Sequence, residues 1–120
     1  MEKRKPALSF RDLVVWQKAH QLVLDIYKVT KGFPKEETYG LTSQIRRSAS
    51  SVAANIAEGF KKNGRNDKLR YYNILQGSLS ETEYHLILCH DLQYGEMNKL
   101  KEQAEEVSKL LEGYMDAIRN

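Results

Sequence analysis

With 120 residues and no run approaching the ~20 apolar residues that span a bilayer, the chain is sized for one globular domain and excludes a membrane-spanning helix. Its one cysteine, Cys89, cannot form an internal disulfide, and the opening MEKRKPALSF lacks the apolar region of a secretory signal, so a cytoplasmic protein is expected. The net charge of +3 hides a division: residues 1–70 carry 15 Lys/Arg and 7 Asp/Glu, residues 71–120 carry 4 and 9, as expected of a nucleic-acid binder or of subunits whose unlike faces attract.

Residues 1–8 read as a flexible N-terminal segment and 9–120 as a single domain. Ser9 with Asp12 three positions on resembles a capping box, with Asp in place of Glu. A first helix is expected to run from there to about Lys31 and to stop at Gly32. Its apolar stripe is Val15, Ala19, Leu22, Ile26 and Val29, flanked by Trp16, Val23 and Tyr27. So broad an arc suits a bundle helix that touches two neighbours. Pro34, Glu36 and Glu37 suit the start of a second helix, expected from about Thr38 to Lys62 with the stripe Leu41, Ile45, Ala49, Val52, Ile56 and Phe60.

Within that helix SVAANIAEGF contains Asn55 and Gly59, both poor helix formers. Gln44, Ser48, Ser51, Asn55 and Glu58 recur at spacings of three and four, a small polar stripe beside the apolar one. Small residues let backbones approach, so this surface is read as a tight contact, with Gly59 at a close approach and Gly77 and Ser78 as matching small positions on the next helix. NGRND is a turn, and Asn66 or Asp67 is expected to cap helix three, which runs to about Gln93. Its main stripe is Tyr72, Leu75, Leu79 and Leu86, with Glu83 inside the arc. A second apolar set, Ile74, Tyr84, Leu88 and Leu92, lies on the opposite side, as an oligomer contact would require. Helix four, from about Met97 to Ile118, alternates spacings of three and four at Met97, Leu100, Ala104, Val107, Leu111, Tyr114 and Ile118. Four helices joined by short loops predict an all-α, antiparallel up-down-up-down four-helix bundle.

Catalytic patterns are lacking. No phosphate-binding Gly-rich loop, Gly-x-Ser-x-Gly or His-Glu-x-x-His is present, and neither is the Glu-x-x-His that di-iron bundles use. His85 and Cys89 share a helix face, but two ligands do not complete a metal site. No catalytic residue, metal or cofactor is therefore assigned. The basic segment is more informative. Arg46, Arg47, Lys61, Lys62, Arg65, Lys68 and Arg70 stand against Glu58 and Asp67, and a helical hairpin is expected to gather them at one end. Tyr71 and Tyr72 adjoin them, so these seven are the candidate nucleic-acid-binding residues. Arg46 lies at the edge of the apolar stripe. It is expected to pair with Glu83, or with Glu81 of the same or a neighbouring chain, leaving Arg47 as the freer phosphate binder.

FRDLVVWQKAHQL, FPKEETYGLTSQIRRSASSVAANIAEGF, GSLSETEYHL and LQYGE resemble the four-helix-bundle family of 23S rRNA intervening-sequence proteins, over nearly the whole chain from Phe10. The resemblance implies a homopentamer and association with nucleic acid. Some members are encoded within insertions in bacterial 23S rRNA genes, and related bundles act with RNA and a reverse transcriptase in diversity-generating retroelements. It marks Arg46, Arg47, Asn55, Glu58, Gly59, Ser78, Glu81 and Glu83, the last six (Asn55 to Glu83) as buried polar or oligomer contacts. Thr82 stands where the family commonly has an apolar residue. The expected function is a non-enzymatic, oligomeric, RNA-associated bundle. The alternative is a scaffold that binds a protein partner and no nucleic acid.

Overall fold

The computed structural model describes residues 6–120, which form four α-helices: α1 (Val14–Thr30), α2 (Leu41–Phe60), α3 (Arg65–Asp91) and α4 (Asn98–Arg119). Residues 1–5 of the segment expected to be flexible lie outside the described residues. The helix boundaries follow local chemistry. The capping box forms: the Ser9 hydroxyl accepts from the Arg11 N–H, and Asp12 Oδ2 accepts from the Ser9 N–H at 3.1 Å. It caps a 3-10 turn, Phe10–Asp12, and not α1, because Leu13 is extended (ψ 125°) and breaks the path before Val14.

The first connection also departs from expectation. Pro34 leads into a separate 3-10 turn, Lys35–Glu37, and α2 starts only at Leu41 because Gly40 (ψ −114°) lies outside the helical region. The Glu37 carboxylate then accepts from the Leu41 N–H at 3.2 Å, satisfying one orphan donor of α2. Gly64 precedes α3, and neither Asn66 nor Asp67 caps it. Both already lie in the first turn, where Asp67 meets the positive end of the helix dipole. Gln93 (φ 63°) and Gly95 (φ 145°) take the left-handed backbone that turns the chain into α4.

The helices pack as a ring in chain order: α1 lies beside α2 and α4, and α3 beside α2 and α4, while the backbones of the diagonal pairs stay apart. Side-chain pairs show α2 and α3, α1 and α4, and α3 and α4 running in opposite senses. Ser48 meets Thr82 while Ser51 meets Ser78, Lys18 meets Glu106 while Asp25 meets Gln103, and Tyr72 meets Tyr114 while Glu83 feels the charge of Glu105. The up-down-up-down bundle is therefore as expected. Its core holds Leu22, Ile26, Ile45, Ile56, Leu75, Leu86, Val107 and Leu111, all essentially inaccessible. Each such side chain contributes roughly 1.5–3 kcal/mol on burial. On α4 the seam shifts at its end: Met115 is buried, whereas Tyr114 and Ile118 lie at the edge of the core.

The α2–α3 contact is the most extensive of the four, and it is made by the small polar stripe. The Thr82 and Ser48 hydroxyls bond at 2.8 Å, the Ser51 and Ser78 hydroxyls bond at 2.9 Å, and Asn55 Nδ2 donates back to the Ser51 carbonyl. Thr82 is wholly buried, and its hydroxyl is satisfied by Ser48 and by the carbonyl of Ser78, which is how a polar residue fits a position that favours an apolar one. A Cβ on Gly59 would stand 3.1 Å from the Tyr72 ring and 3.2 Å from Tyr71 Cβ, so the helices close on that glycine. Gly77 does not share the role, since nothing lies within 4 Å of its Cβ direction.

Candidate nucleic-acid interface

The seven basic residues divide by what each touches. Lys61, Arg65 and Arg70 are exposed and Lys62 is half-buried, all around the turn from α2 to α3. Lys62 and Arg70 both approach the Tyr71 ring, at 5.2 and 5.5 Å from its centroid. Among the described residues none of these four forms an ion pair. The 3-10 turn before α1 packs on α2 and carries exposed Arg11 to the same end, a neighbour that lies fifty positions away in sequence and gave no signal there. Glu58 and Asp67 are the exposed carboxylates nearest in sequence to this tip.

Lys68 belongs to the fold. Its ammonium donates to the carbonyls of Phe60 at 2.9 Å and Gly59 at 3.2 Å, closing the C-terminus of α2. Burial holds its pKa below the ordinary lysine value. Lys68→Met keeps an apolar stem over Phe60 but loses both bonds. We expect it to cost about 1 kcal/mol, the size of a helix-terminal cation with its hydrogen bonds. Chemical denaturation checks this, and the salt dependence of any RNA binding should be unchanged.

Arg46 and Arg47 do not join the tip. They lie about 21 Å from Lys61 along α2, given 14 positions from Arg47 and 1.5 Å per residue. Nor does Arg46 pair with Glu83 or Glu81 within the chain. Its Nε donates to Thr30 Oγ1 at 2.8 Å and its guanidinium lies 4.6 Å over the Tyr27 ring, because its place at the stripe's edge turns it toward α1. Arg47 is exposed, as expected. Both arginines border an open hollow of about 460 Å³ together with Tyr27, Tyr39 and several Ser and Thr residues, and no carboxylate among the described residues lines it. Tyr39, 96% exposed, was not singled out in the sequence. Its only signal there was an aromatic side chain in an otherwise polar loop.

Of the residues read as buried polar or oligomer contacts, Asn55, Gly59 and Ser78 sit at the α2–α3 contact, while Glu58 and Glu81 are exposed. Glu83 is half-buried on the side of α3 that faces α4. Burial, followed by the charge of Glu105, raises its pKa above the usual 4.5. A raised folded-state pKa means that the folded protein holds this proton more tightly than the unfolded chain. Its contribution to stability is thus full below pH 4.5 and lost as pH rises through the folded-state value. Glu83→Gln is expected to raise the melting temperature at pH 7, with the gain vanishing in acid. A loss at pH 7 would instead show that a cation reaches Glu83 from another chain.

His85, Cys89 and His20 serve packing. His85 is buried with Nδ1 3.4 Å from Ser48 Oγ, and burial pushes the Cys89 thiol up to about 11. Among the described residues no group of three or more His, Cys, Asp or Glu is placed to hold a metal ion. His20 stacks on Trp16 with centroids 4.9 Å apart. Among the described residues no helix is long and apolar enough to cross a membrane.

Residues 11–113 match the profile of the 23S rRNA-intervening sequence protein family. The fold is similar to a crystal structure, at 1.70 Å, of a protein of unknown function from the S23 ribosomal protein family of Bacteroides thetaiotaomicron VPI-5482. The two share 28% identity with a TM-score of 0.76, covering 85% of this chain and 98% of that one. No curated protein matches the chain.

Proposed function

We propose, from the premise that this chain belongs to the 23S rRNA-intervening sequence protein family, that it is a non-enzymatic, cytoplasmic, oligomeric bundle that contacts RNA phosphates through the α2–α3 tip. The observation that carries this reading is the set Lys61, Lys62, Arg65 and Arg70, of which Lys62 and Arg70 approach Tyr71 and none makes an ion pair among the described residues. Unpaired cations at a convex helical end can meet phosphates, and Tyr71 offers them an aromatic neighbour without competing charge. Such contacts read charge and shape more than base sequence. Binding of a labelled, structured rRNA fragment across a salt series tests it. Affinity that falls steeply with salt and exceeds that for matched duplex DNA is the expected result. No binding at low salt would refute it.

A specific feature supports assembly. Ile74, Tyr84, Ile87 and Leu92 are 45–58% exposed along the outer side of α3. Leu88, expected on this side with Ile74, Tyr84 and Leu92, packs instead against the chain's own core, and Ile87, not in that expected set, is exposed beside it. We assign the exposed residues to contact between copies, in the pentamer that the family resemblance implies. The same surface would seat a protein partner under the scaffold reading, and sedimentation of the purified chain separates the two.

A further inference from the structure

The geometry points to a second RNA contact, distinct from the α2–α3 tip: the hollow at the start of α2 takes one unpaired nucleotide, its base on Tyr39 and its phosphate on Arg47. This rests on the RNA reading above and adds to it a preference for unpaired strands. Tyr39 presents nearly its whole ring to solvent, yet its backbone is held on the N-terminal side of α2. Glu37 fixes that approach, since it accepts both from the Leu41 N–H and from the Tyr94 hydroxyl, the latter at 2.7 Å. An exposed aromatic on a fixed backbone stacks a base at little cost in order, and only a base whose face is free can stack on it.

The electrostatics of the hollow agree. Arg46 is immobilised by Thr30 and Tyr27, so its charge is positioned before any ligand arrives. Arg47 is free to reach a phosphate, and its planar fork suits phosphate oxygens. Thr42 and Ser43 also line the hollow, and no carboxylate among the described residues lines it to repel an anion. Exposed Glu58 stands on α2 between this site and Lys61, so the hollow is a separate contact and not an extension of the tip.

The test compares a short unpaired RNA with a blunt RNA duplex of the same composition, by fluorescence anisotropy, for the wild type, Tyr39→Ala and Arg47→Gln. Tyr39→Ala is expected to weaken the unpaired RNA about tenfold, the size of one lost base stack, and to leave duplex binding within about twofold. Arg47→Gln is expected to lower the single-strand salt slope by roughly 0.7, one phosphate contact. If Tyr39→Ala changes both RNAs equally, or neither, the inference is wrong. It is also wrong if Tyr39→Ala changes the mass in sedimentation, since a second copy would then cover the hollow. Competition by a nucleoside monophosphate at concentrations comparable to the RNA would show a free-nucleotide site and overturn the assignment to a strand. Failure of the wild type to bind either RNA refutes the parent reading together with this one. Salt-dependent binding that Tyr39→Ala leaves untouched refutes this one alone.

Discussion

Gly59→Val is expected to lower the melting temperature by about 10 °C. A Cβ at this position already comes within 3.1 Å of the Tyr72 ring, and that ring is fully buried with Tyr114 edge-on to it at 5.3 Å. Neither the ring nor the Tyr71 backbone can retreat without opening the α2–α3 contact. Overpacking of this kind costs roughly 1–3 kcal/mol, and the two further methyls of valine place the variant toward the upper end. Helix propensity works in the opposite direction and recovers less than about 1 kcal/mol. Gly77→Ala is the control. Nothing stands within 4 Å of its Cβ direction, so only the propensity gain remains and the melting temperature should rise by a few degrees. Thermal unfolding followed by circular dichroism checks both. Opposite signs for two glycines in adjacent helices would show that the close approach, and not glycine content, sets the stability of the hairpin.

The Lys61→Glu, Arg65→Glu double variant is expected to weaken binding to a structured RNA by more than about tenfold near physiological salt. The slope of log affinity against log salt should fall by roughly 1.4–1.8, two phosphate contacts. Both side chains are exposed and unpaired among the described residues, so their reversal leaves the core intact and the circular dichroism spectrum unchanged. Lys35→Glu with Lys99→Glu alters net charge by the same amount at exposed positions toward the opposite end of the bundle. If that pair weakens binding as much as the tip pair, attraction is global and the tip holds no site. If the tip pair has no effect, the cations there do not meet RNA.

The elements that periodicity could reach were legible in the sequence. The stripes of α1 and α2 recur at three and four, and nearly all of the residues in them are buried. What escaped was decided by backbone geometry at single positions. Leu13 and Gly40 each leave the helical region, which separates the 3-10 turns from the helices they were expected to begin. The candidate site was legible as a charge count but not as a division of labour. Lys68 and Arg46 read like their neighbours, yet one closes the end of α2 and the other is tied to α1. A side chain's choice between a carbonyl and the solvent depends on what another helix brings beside it, and that is absent from local spacing. For the same reason Arg11 and Tyr39 became visible only when the chain was folded.

The two poles of the bundle are unlike. At one, the Tyr94–Glu37 bond ties the α1–α2 connection to the α3–α4 connection; at the other lies the basic turn. Cyclic symmetry carries each atom of a subunit onto a single circle about the axis. In a closed ring the basic turns would therefore form one continuous band, with no counterpart on the tied side. A polymer crossing from one subunit to the next would keep the same chemistry and the same direction of travel. In a two-fold dimer a strand crossing the axis would instead meet the second basic turn rotated by 180°, and so in the opposite direction. The direction of travel along a bound strand, and not only the number of contacts, would thus be fixed by how the copies are arranged.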